Sequence, residues 1–294
     1  MSSGSAKTAA VIVVGSLHYD IMVDAPDRPR RGETVTGYRW RPKFGGKGGN
    51  QAVAAARAGA DVRFVGAVGT DDFGPFLRGA LSDAGVDCTY VATLADIGSG
   101  MSVAITDDGG DYGAVIVSGA NTRIDGAQLA DDKLWEGATL LLLQNEVPED
   151  VNLKAVLAAQ ARGVPVWLNA APMRALPTAL VALVDGLIVN AIEAEQMCGV
   201  AVVDLTSAET AARALSPRFG YVVVTAGGAG VVGIAQGAEP VRCPALPVKL
   251  VSTHGAGDAF VGTLVAGLAR GEDFAHGLTV ANEAAARHVS TPVA

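Results

Sequence analysis

The chain is poor in the groups that many protein chemistries require. Its three cysteines, Cys88, Cys198 and Cys243, are far apart and form no CxxC. That excludes a disulfide framework and a dithiol redox motif, and it points to a reduced, cytoplasmic setting. The four histidines are scattered, and no His/Cys group has metal-ligand spacing. Aromatic residues make up only 5% of the chain, so the core must be built from Ala, Val and Leu. Basic residues are outnumbered, 22 Lys+Arg against 30 Asp+Glu, and the resulting charge of −8 argues against a general nucleic-acid or anionic-membrane binder. No apolar run approaches membrane-spanning length. Met1 to Ala9 is Ser/Ala-rich and expected to fray. It lacks the basic region and long apolar run of a signal peptide.

What the chain does have is apolar content and glycine. Half of its 294 residues are apolar, enough to bury a substantial core, and 37 are glycine, well above average usage. That many glycines implies tight turns or backbone-lined sites. Ala10 to Val14 is a β-branched run of buried-strand type, with His18, Tyr19 and Asp20 following at its end. Ile21 to Val23 and Thr34 to Trp40 read as short strands of an appendage. Ser99 to Thr106 and Tyr112 to Val117 read as a hairpin that could join them in one small sheet. From residue 138 onward strands and helices alternate: strands at 139–143, 164–168, 186–189 and 221–225, helices at 150–162 and 191–198. Repeated β-α units imply a mostly parallel sheet with helices on both faces. Ligands in such sheets bind at the strand ends.

Two glycine-rich stretches carry the chemistry. Ser252-Thr253-His254-Gly255-Ala256-Gly257-Asp258 precedes a helix over 259–270. Small residues there let the backbone approach a ligand, and the unpaired amides of a helix start form an anion cradle. Asp258 projects from the same place. A carboxylate beside a helix N-terminus is expected to stay ionised with a low pKa, orienting an attacking hydroxyl more than deprotonating it early. Gly45-Gly46-Lys47-Gly48-Gly49-Asn50 opens an Ala-rich helix over 51–58. A lysine among four glycines is hard to explain as a solvated charge, and with Asn50 and Asp20 it suits a polyhydroxylated ligand. Asn190-Ala191-Ile192-Glu193, at a strand-to-helix junction, reads either as a capping box or as a site where Glu193 holds hydrated Mg²⁺ through water. Gln144-Asn145-Glu146 closes a Leu-rich strand, and Glu146 there could cap a turn or touch a ligand. Gly228-x-Gly230-x-x-Gly233 is followed by a strand rather than a helix, which rules against a dinucleotide fold. Lys47 is followed by glycine, which rules out Walker A.

With these residues in view, the chain resembles the PfkB-type carbohydrate kinases, their ribokinase branch above all. The likeness runs through Gly32 to Gly37, Phe44 to Ala60, Ser118 to Asn121, Leu168 to Pro172, Asn190 to Gly199, Thr225 to Gly230 and Ser252 to Gly262. The paired GGKGxN and GAGD motifs, in this order, are the specific part. The resemblance implies a single domain over 1–294, a ribokinase-like three-layer α/β/α sandwich with a mostly parallel central sheet. A small β-sheet lid would come from about 18–43 and 96–118. It implies transfer of the ATP γ-phosphoryl group, with Mg²⁺, to a sugar hydroxyl. By position, Asp258 is then the catalytic base, with Gly255, Ala256 and Gly257 as the anion hole. His18, Asp20, Gly46, Lys47, Asn50 and Glu146 lie around the sugar. Asn190, Thr225, Gly227, Gly228, Gly230 and Asn282 line the nucleotide site, with Glu193 near the metal. A homodimer through the lid is expected by the same analogy.

The chain departs from that pattern at His18, where ribokinases have Asn. It departs again at Ser252, where they carry an Asp of a monovalent-cation site, and in ending before the tail that completes that site. Ribose or a close pentose is the expected acceptor, with nucleosides and other sugars as alternatives, and K⁺ activation is not expected. A non-catalytic sugar or nucleotide sensor is the rival from another class. A nicotinamide dehydrogenase would rest only on the rejected glycine pattern.

Overall fold

The computed structural model describes residues 9–291; the first eight residues, expected to fray, lie outside them. In chain order the strands are β1 (Ala10–Val14), β2 (His18–Asp24), β3 (Arg39–Gly45), β4 (Asp61–Gly69), β5 (Val91–Leu94), β6 (Met101–Thr106), β7 (Tyr112–Val117), β8 (Ala138–Gln144), β9 (Val166–Asn169), β10 (Gly186–Asn190), β11 (Tyr221–Thr225), β12 (Gly230–Ala235) and β13 (Val241–Pro244). The helices are α1 (Lys47–Arg57), α2 (Phe73–Asp83), α3 (Asp132–Trp135), α4 (Glu149–Gln160), α5 (Thr178–Val181), α6 (Ala191–Cys198), α7 (Leu205–Leu215), α8 (Ala256–Ala269) and α9 (Phe274–Ser290).

The large sheet has the order β13-β12-β11-β10-β9-β8-β1-β4-β5. It is parallel from β11 to β5, and β12 and β13 add an antiparallel edge. All five residues of β1 are buried, so the strand needs cover on both faces. Val11 and Val13 pack with Ala52 and Ala55 of α1 and with Phe260 and Leu264 of α8. Ile12 and Val14 join the opposite core with Val151 and Ala155 of α4 and Ala208 and Ala211 of α7. The period of two in one strand thus generates three layers, each fully buried Val or Leu contributing roughly 1.5–3 kcal/mol. Among the described residues no helix is long and apolar enough to cross a membrane.

The second sheet has the order β3-β2-β6-β7. Its central pair, β2 and β6, is parallel, and the flanking pairs are antiparallel. One face turns toward the carboxyl ends of the main strands and carries His18, Asp20, Lys43 and Ser102. This is the small sheet expected from the sequence, with three differences. His18, Tyr19 and Asp20 do not trail β1; they open β2. The strand expected at 34–40 lies instead at 39–45 and contains Pro42, which β3 tolerates as an edge strand. Both focal helices start earlier than the apolar pattern indicates, at Lys47 and Ala256. Their N-caps are Gly46 and Gly255, at φ 88° and 85°. Only glycine enters a helix easily from that left-handed conformation.

The helices α1 and α8 touch closely. A Cβ on Gly262 would sit 2.5 Å from the Cβ of Ala54 and 2.7 Å from the amide nitrogen of Ala55. Gly262→Ala is therefore expected to cost about 1–3 kcal/mol by overpacking. A lowered urea midpoint checks it, and an unchanged midpoint would mean that the two helices part freely.

Candidate active site

The site lies where β1, β8, β9, β10 and β11 end, as strand-end geometry requires. The turn after β1 meets the start of α1 at backbone contact distance. A Cβ on Gly46 would lie 2.7 Å from the Ser16 carbonyl, and one on Gly48 would lie 2.6 Å from the Gly15 Cα. The glycines flanking Lys47 are thus needed for packing the helix entry against β1. Glu146, at the end of β8, accepts the Lys47 backbone N–H (2.8 Å) and the Ser16 hydroxyl (2.5 Å) through one oxygen, Oε2. It therefore caps α1, 99 positions away in sequence rather than the next turn, and it also stands on the cavity wall.

That cavity, of about 980 Å³, is bounded above by the lid and below by the two glycine turns. His18, Asp20, Gly46, Lys47, Asn50 and Glu146 all line it, together with Gly255 and Asp258. Lys47 and Asp258, 211 positions apart in sequence by 258 − 47, share this wall. They also share a second cavity of about 530 Å³ with Asn190, Glu193, Thr225 and Gly227. Asp258 thus stands between two spaces, one under the lid and one over β10 and β11.

The Asp258 carboxylate is held from α1. Gln51 Nε2 donates to its Oδ1 (2.9 Å) and Asn50 Nδ2 to its Oδ2 (3.3 Å). Gln51, fully buried, uses the same nitrogen to reach Asn169 Oδ1 at the end of β9 (2.9 Å). Burial pushes the Asp258 pKa up, with Lys47, Gln51 and Asn50 pulling the other way and Glu146 adding to the rise. The low pKa expected from the helix N-terminus is thus not found: desolvation outweighs the pull of Lys47, Gln51 and Asn50. A raised pKa makes Asp258 a better base near neutrality.

Of the three residues expected to form the anion cradle, Gly255 and Gly257 line the second cavity, whereas Ala256 donates its N–H to the Thr253 carbonyl (3.3 Å). A Cβ on Gly257 would meet nothing within 4 Å, so the first turn of α8 is open at that point. The nucleotide-side residues divide. Asn190, Thr225 and Gly227 reach the cavity, Asn190 and Thr225 as register partners. Gly228, Gly230 and Asn282 are not on its wall. A Cβ on Gly230 would sit 2.7 Å from the Ala245 nitrogen, and Asn282 Nδ2 donates to the Pro244 carbonyl (2.8 Å), so both brace the β12–β13 edge. Glu193 and Asn190 form the capping box: Asn190 Oδ1 accepts the Glu193 N–H and Glu193 Oε2 accepts the Asn190 N–H, both at 2.9 Å. Burial pushes the Glu193 pKa up.

Three groups escape sequence reasoning. Gln51 looks like an ordinary residue of the Ala-rich helix. Ser102 donates to Asp20 Oδ1 at 2.5 Å and fixes that carboxylate. Lys43 faces Asp20 across the β2–β3 register, half-buried, its pKa lowered by burial and raised back by Asp20 and Asp258. The signal for Lys43 was present as basic residues at period two, Arg39, Arg41 and Lys43, on one face of β3.

An acceptor space with hydroxyl-binding groups, a second space at strand ends, an open helix N-terminus and one carboxylate between them define a phosphotransferase acting on a small hydroxylated molecule. Comparison with known proteins agrees. The pfkB family carbohydrate kinase pattern matches residues 8–293. A ribokinase from Bacillus subtilis is 35% identical over 95% of this chain and 92% of its own. A ribokinase from Mus musculus is 37% identical over 88% and 81%. The structure of Arabidopsis thaliana ribokinase complexed with ribose and ATP superposes with a TM-score of 0.89 at 29% identity, covering 97% of this chain and 94% of that one. The chain belongs to the pfkB family of carbohydrate kinases.

Gln51 should act through Asp258. In Gln51→Leu, loss of a donor to the charged carboxylate should raise its pKa, shifting the acidic limb of the kcat/KM profile to higher pH. Turnover should fall about 10-fold, the scale of one charge-assisted hydrogen bond. A pH–rate titration that leaves the limb in place would remove Gln51 from this role.

Proposed function

We propose that this enzyme transfers the γ-phosphoryl group of ATP to a primary hydroxyl of a small sugar, with ribose or a related pentose under the lid. The observation that carries the reading is Asp258 on the shared wall of both cavities, within reach of Lys47, Asn50 and Gln51. Asp20, Lys47, Asn50 and Glu146 hold the acceptor hydroxyls, and the lid keeps competing water out. Asp258 takes the hydroxyl proton as that oxygen bonds to the γ-phosphorus. The bond from γ-phosphorus to the β–γ bridging oxygen breaks, and ADP leaves. Lys47 and the open amides of α8 offset the charge on the moving phosphoryl group.

Asn190, Thr225 and Gly227 sit where the nucleotide would lie. Among the described residues no group of three or more His, Cys, Asp or Glu gathers as a metal cage. Glu193 has one oxygen committed to the cap, so the residues fit a hydrated Mg²⁺ that arrives with the phosphates and is touched through water. Such an ion supplies charge neutralisation on the phosphates. Ser252, with no charge, supports turnover that does not need K⁺.

The experiment is ADP release against free pentoses, hexoses and nucleosides, with and without K⁺. Asp258→Asn should lower kcat by about 10²–10⁴-fold, the usual contribution of a general base, while ATP binding persists. Near-normal turnover in that variant would overturn the assignment of the base. No ADP release with any acceptor, despite tight binding, would favour the sensor reading.

A homodimer through the lid and a cytoplasmic location complete the proposal. Trp40, Val115 and Val117 are 64%, 69% and 52% exposed, and β7 is a sheet edge, both features that a second copy would cover. Val115→Lys with Val117→Lys should halve the mass seen in sedimentation. A wild-type chain that sediments as a monomer would remove the dimer.

A further inference from the structure

Three basic residues lie at period two on β3, and two of them are engaged. Arg39 Nε and Arg41 Nη1 both pair with Asp24, at 2.5 Å and 3.1 Å. The third, Lys43, joins no ion pair among the described residues. Its nearest candidate partner is turned away. Asp20 stands opposite Lys43 in the β2–β3 register, and direct partners of an antiparallel pair share a face. Yet the Asp20 carboxylate accepts the Ser102 hydroxyl at 2.5 Å and leans over Gly45, where a Cβ would collide with its Oδ2. Lys43 is left on the cavity wall, half-buried and without a paired carboxylate, a costly state for a charge.

A third space shows where this side chain reaches. A cavity of about 610 Å³ runs beside α1, α8 and α9, and its wall comes from residues 50–58, 252–270 and 280–291 with a single exception, Lys43 of the lid. Lys43 also lines the acceptor cavity, where it shares the wall with Lys47 and Asp258. It is thus the lid side chain that crosses to the body of the enzyme beside Asn50, Gly255 and Asp258. Burial lowers its pKa, and Asp20 and Asp258 are close enough to raise it again. What an unpaired ammonium meets at that spot follows from the proposed reaction. A sugar acceptor is neutral before transfer and gives Lys43 nothing to neutralise. Once the phosphoryl group is on the acceptor oxygen beside Asp258, a phosphate ester of roughly −1.5 to −2 charge lies between Lys47 below and Lys43 above.

We infer that Lys43 is a further catalytic residue, a lid-borne cation that meets the phosphoryl group as it arrives on the acceptor, so that charge on the product side and closure of the lid are linked. This rests on the kinase reading above and adds a residue to it. A contact made only as negative charge arrives on the acceptor side raises turnover and leaves acceptor affinity alone. The same contact persists in the phosphorylated product, which makes it measurable without turnover.

Calorimetry on the full chain reads that contact, with ribose and ribose 5-phosphate as probes. The wild-type protein should bind the phosphate ester at least about 10-fold more tightly than ribose, by a margin that shrinks with added salt. Lys43→Met should remove most of the margin while ribose binding stays within about twofold, and Lys43→Arg should restore part of it. No margin in the wild-type protein would overturn the inference, and that measurement needs no variant to fold. A Lys43→Met variant that keeps the whole margin, or that loses affinity for both probes equally, would overturn it as well. In steady state Lys43→Met should lower kcat about 10-fold with the acceptor KM changed less than about twofold. A raised KM with kcat intact would make Lys43 an acceptor-binding residue and remove the catalytic role. ADP release by the wild-type protein tests the kinase reading separately: turnover that Lys43→Met leaves unchanged would keep the kinase and remove Lys43 from its chemistry.

Discussion

The close approach of α1 to α8 governs the site. Gly262 lets the two helices meet at backbone distance, and Gln51 then spans from Asn169 at the end of β9 to Asp258 in the first turn of α8. One amide nitrogen thereby ties the central sheet to the Asp258 carboxylate. The α8 helix cannot move relative to β9 without breaking one of the two hydrogen bonds of the buried Gln51, and a buried polar group left unpaired costs about 1–3 kcal/mol. The position of Asp258 is thus set by the core of the molecule, although the motif that announces it lies in a loop.

The same helix pair explains the electrostatics. Each helix enters from a glycine at positive φ, and each presents its N-terminal end to one space, as shown by Lys47 and Asp258 sharing both cavities. Two positive dipole ends favour negative charge there. Placing Asp258 in that field should lower its pKa, but burial raises it instead. On the kinase reading proposed above, that field is left for an incoming phosphate, while the raised pKa suits the carboxylate to receive a proton. Glu146, by spending one oxygen on the α1 amide and the Ser16 hydroxyl, holds the first of these helix ends in place.

The layered architecture was legible because β-branched runs and β-α alternation are local signals. The two glycine motifs were legible because each is contiguous. Other features were not. The strand β3 was misplaced because Pro42 argues against a strand and only edge placement excuses it. The helix starts were late because glycine carries no helical pattern. The sequence reading passes over α7, although Asp204 accepts the Ser207 N–H as its cap and Ala208, Ala211 and Ala212 lie at helical spacing. Gln51 and Ser102 were invisible because their roles exist only through partners 207 and 82 positions away. The Asp258 pKa was misjudged because burial is a tertiary quantity that a local motif does not contain.

The lid shows what a mixed sheet can do that a hairpin cannot. Because β2 and β6 are parallel, the lid is stitched from two distant segments, and its inner face gathers His18 and Asp20 from one, Ser102 from the other and Lys43 from the return strand. Asp20 is fixed by its cross-strand neighbour Ser102, with Lys43 opposite in register. The outer residues Trp40, Val115 and Val117 remain exposed. A sheet with His18, Asp20, Lys43 and Ser102 beside Ala104 and Ile116 over the cavity, and Trp40, Val115 and Val117 on the other face, has two surfaces to satisfy, and an acceptor would cover only the first. Association through the outer face, as proposed above, would therefore be coupled to acceptor recognition through one thin element, since any tilt of the lid that improves contact on one face alters the other.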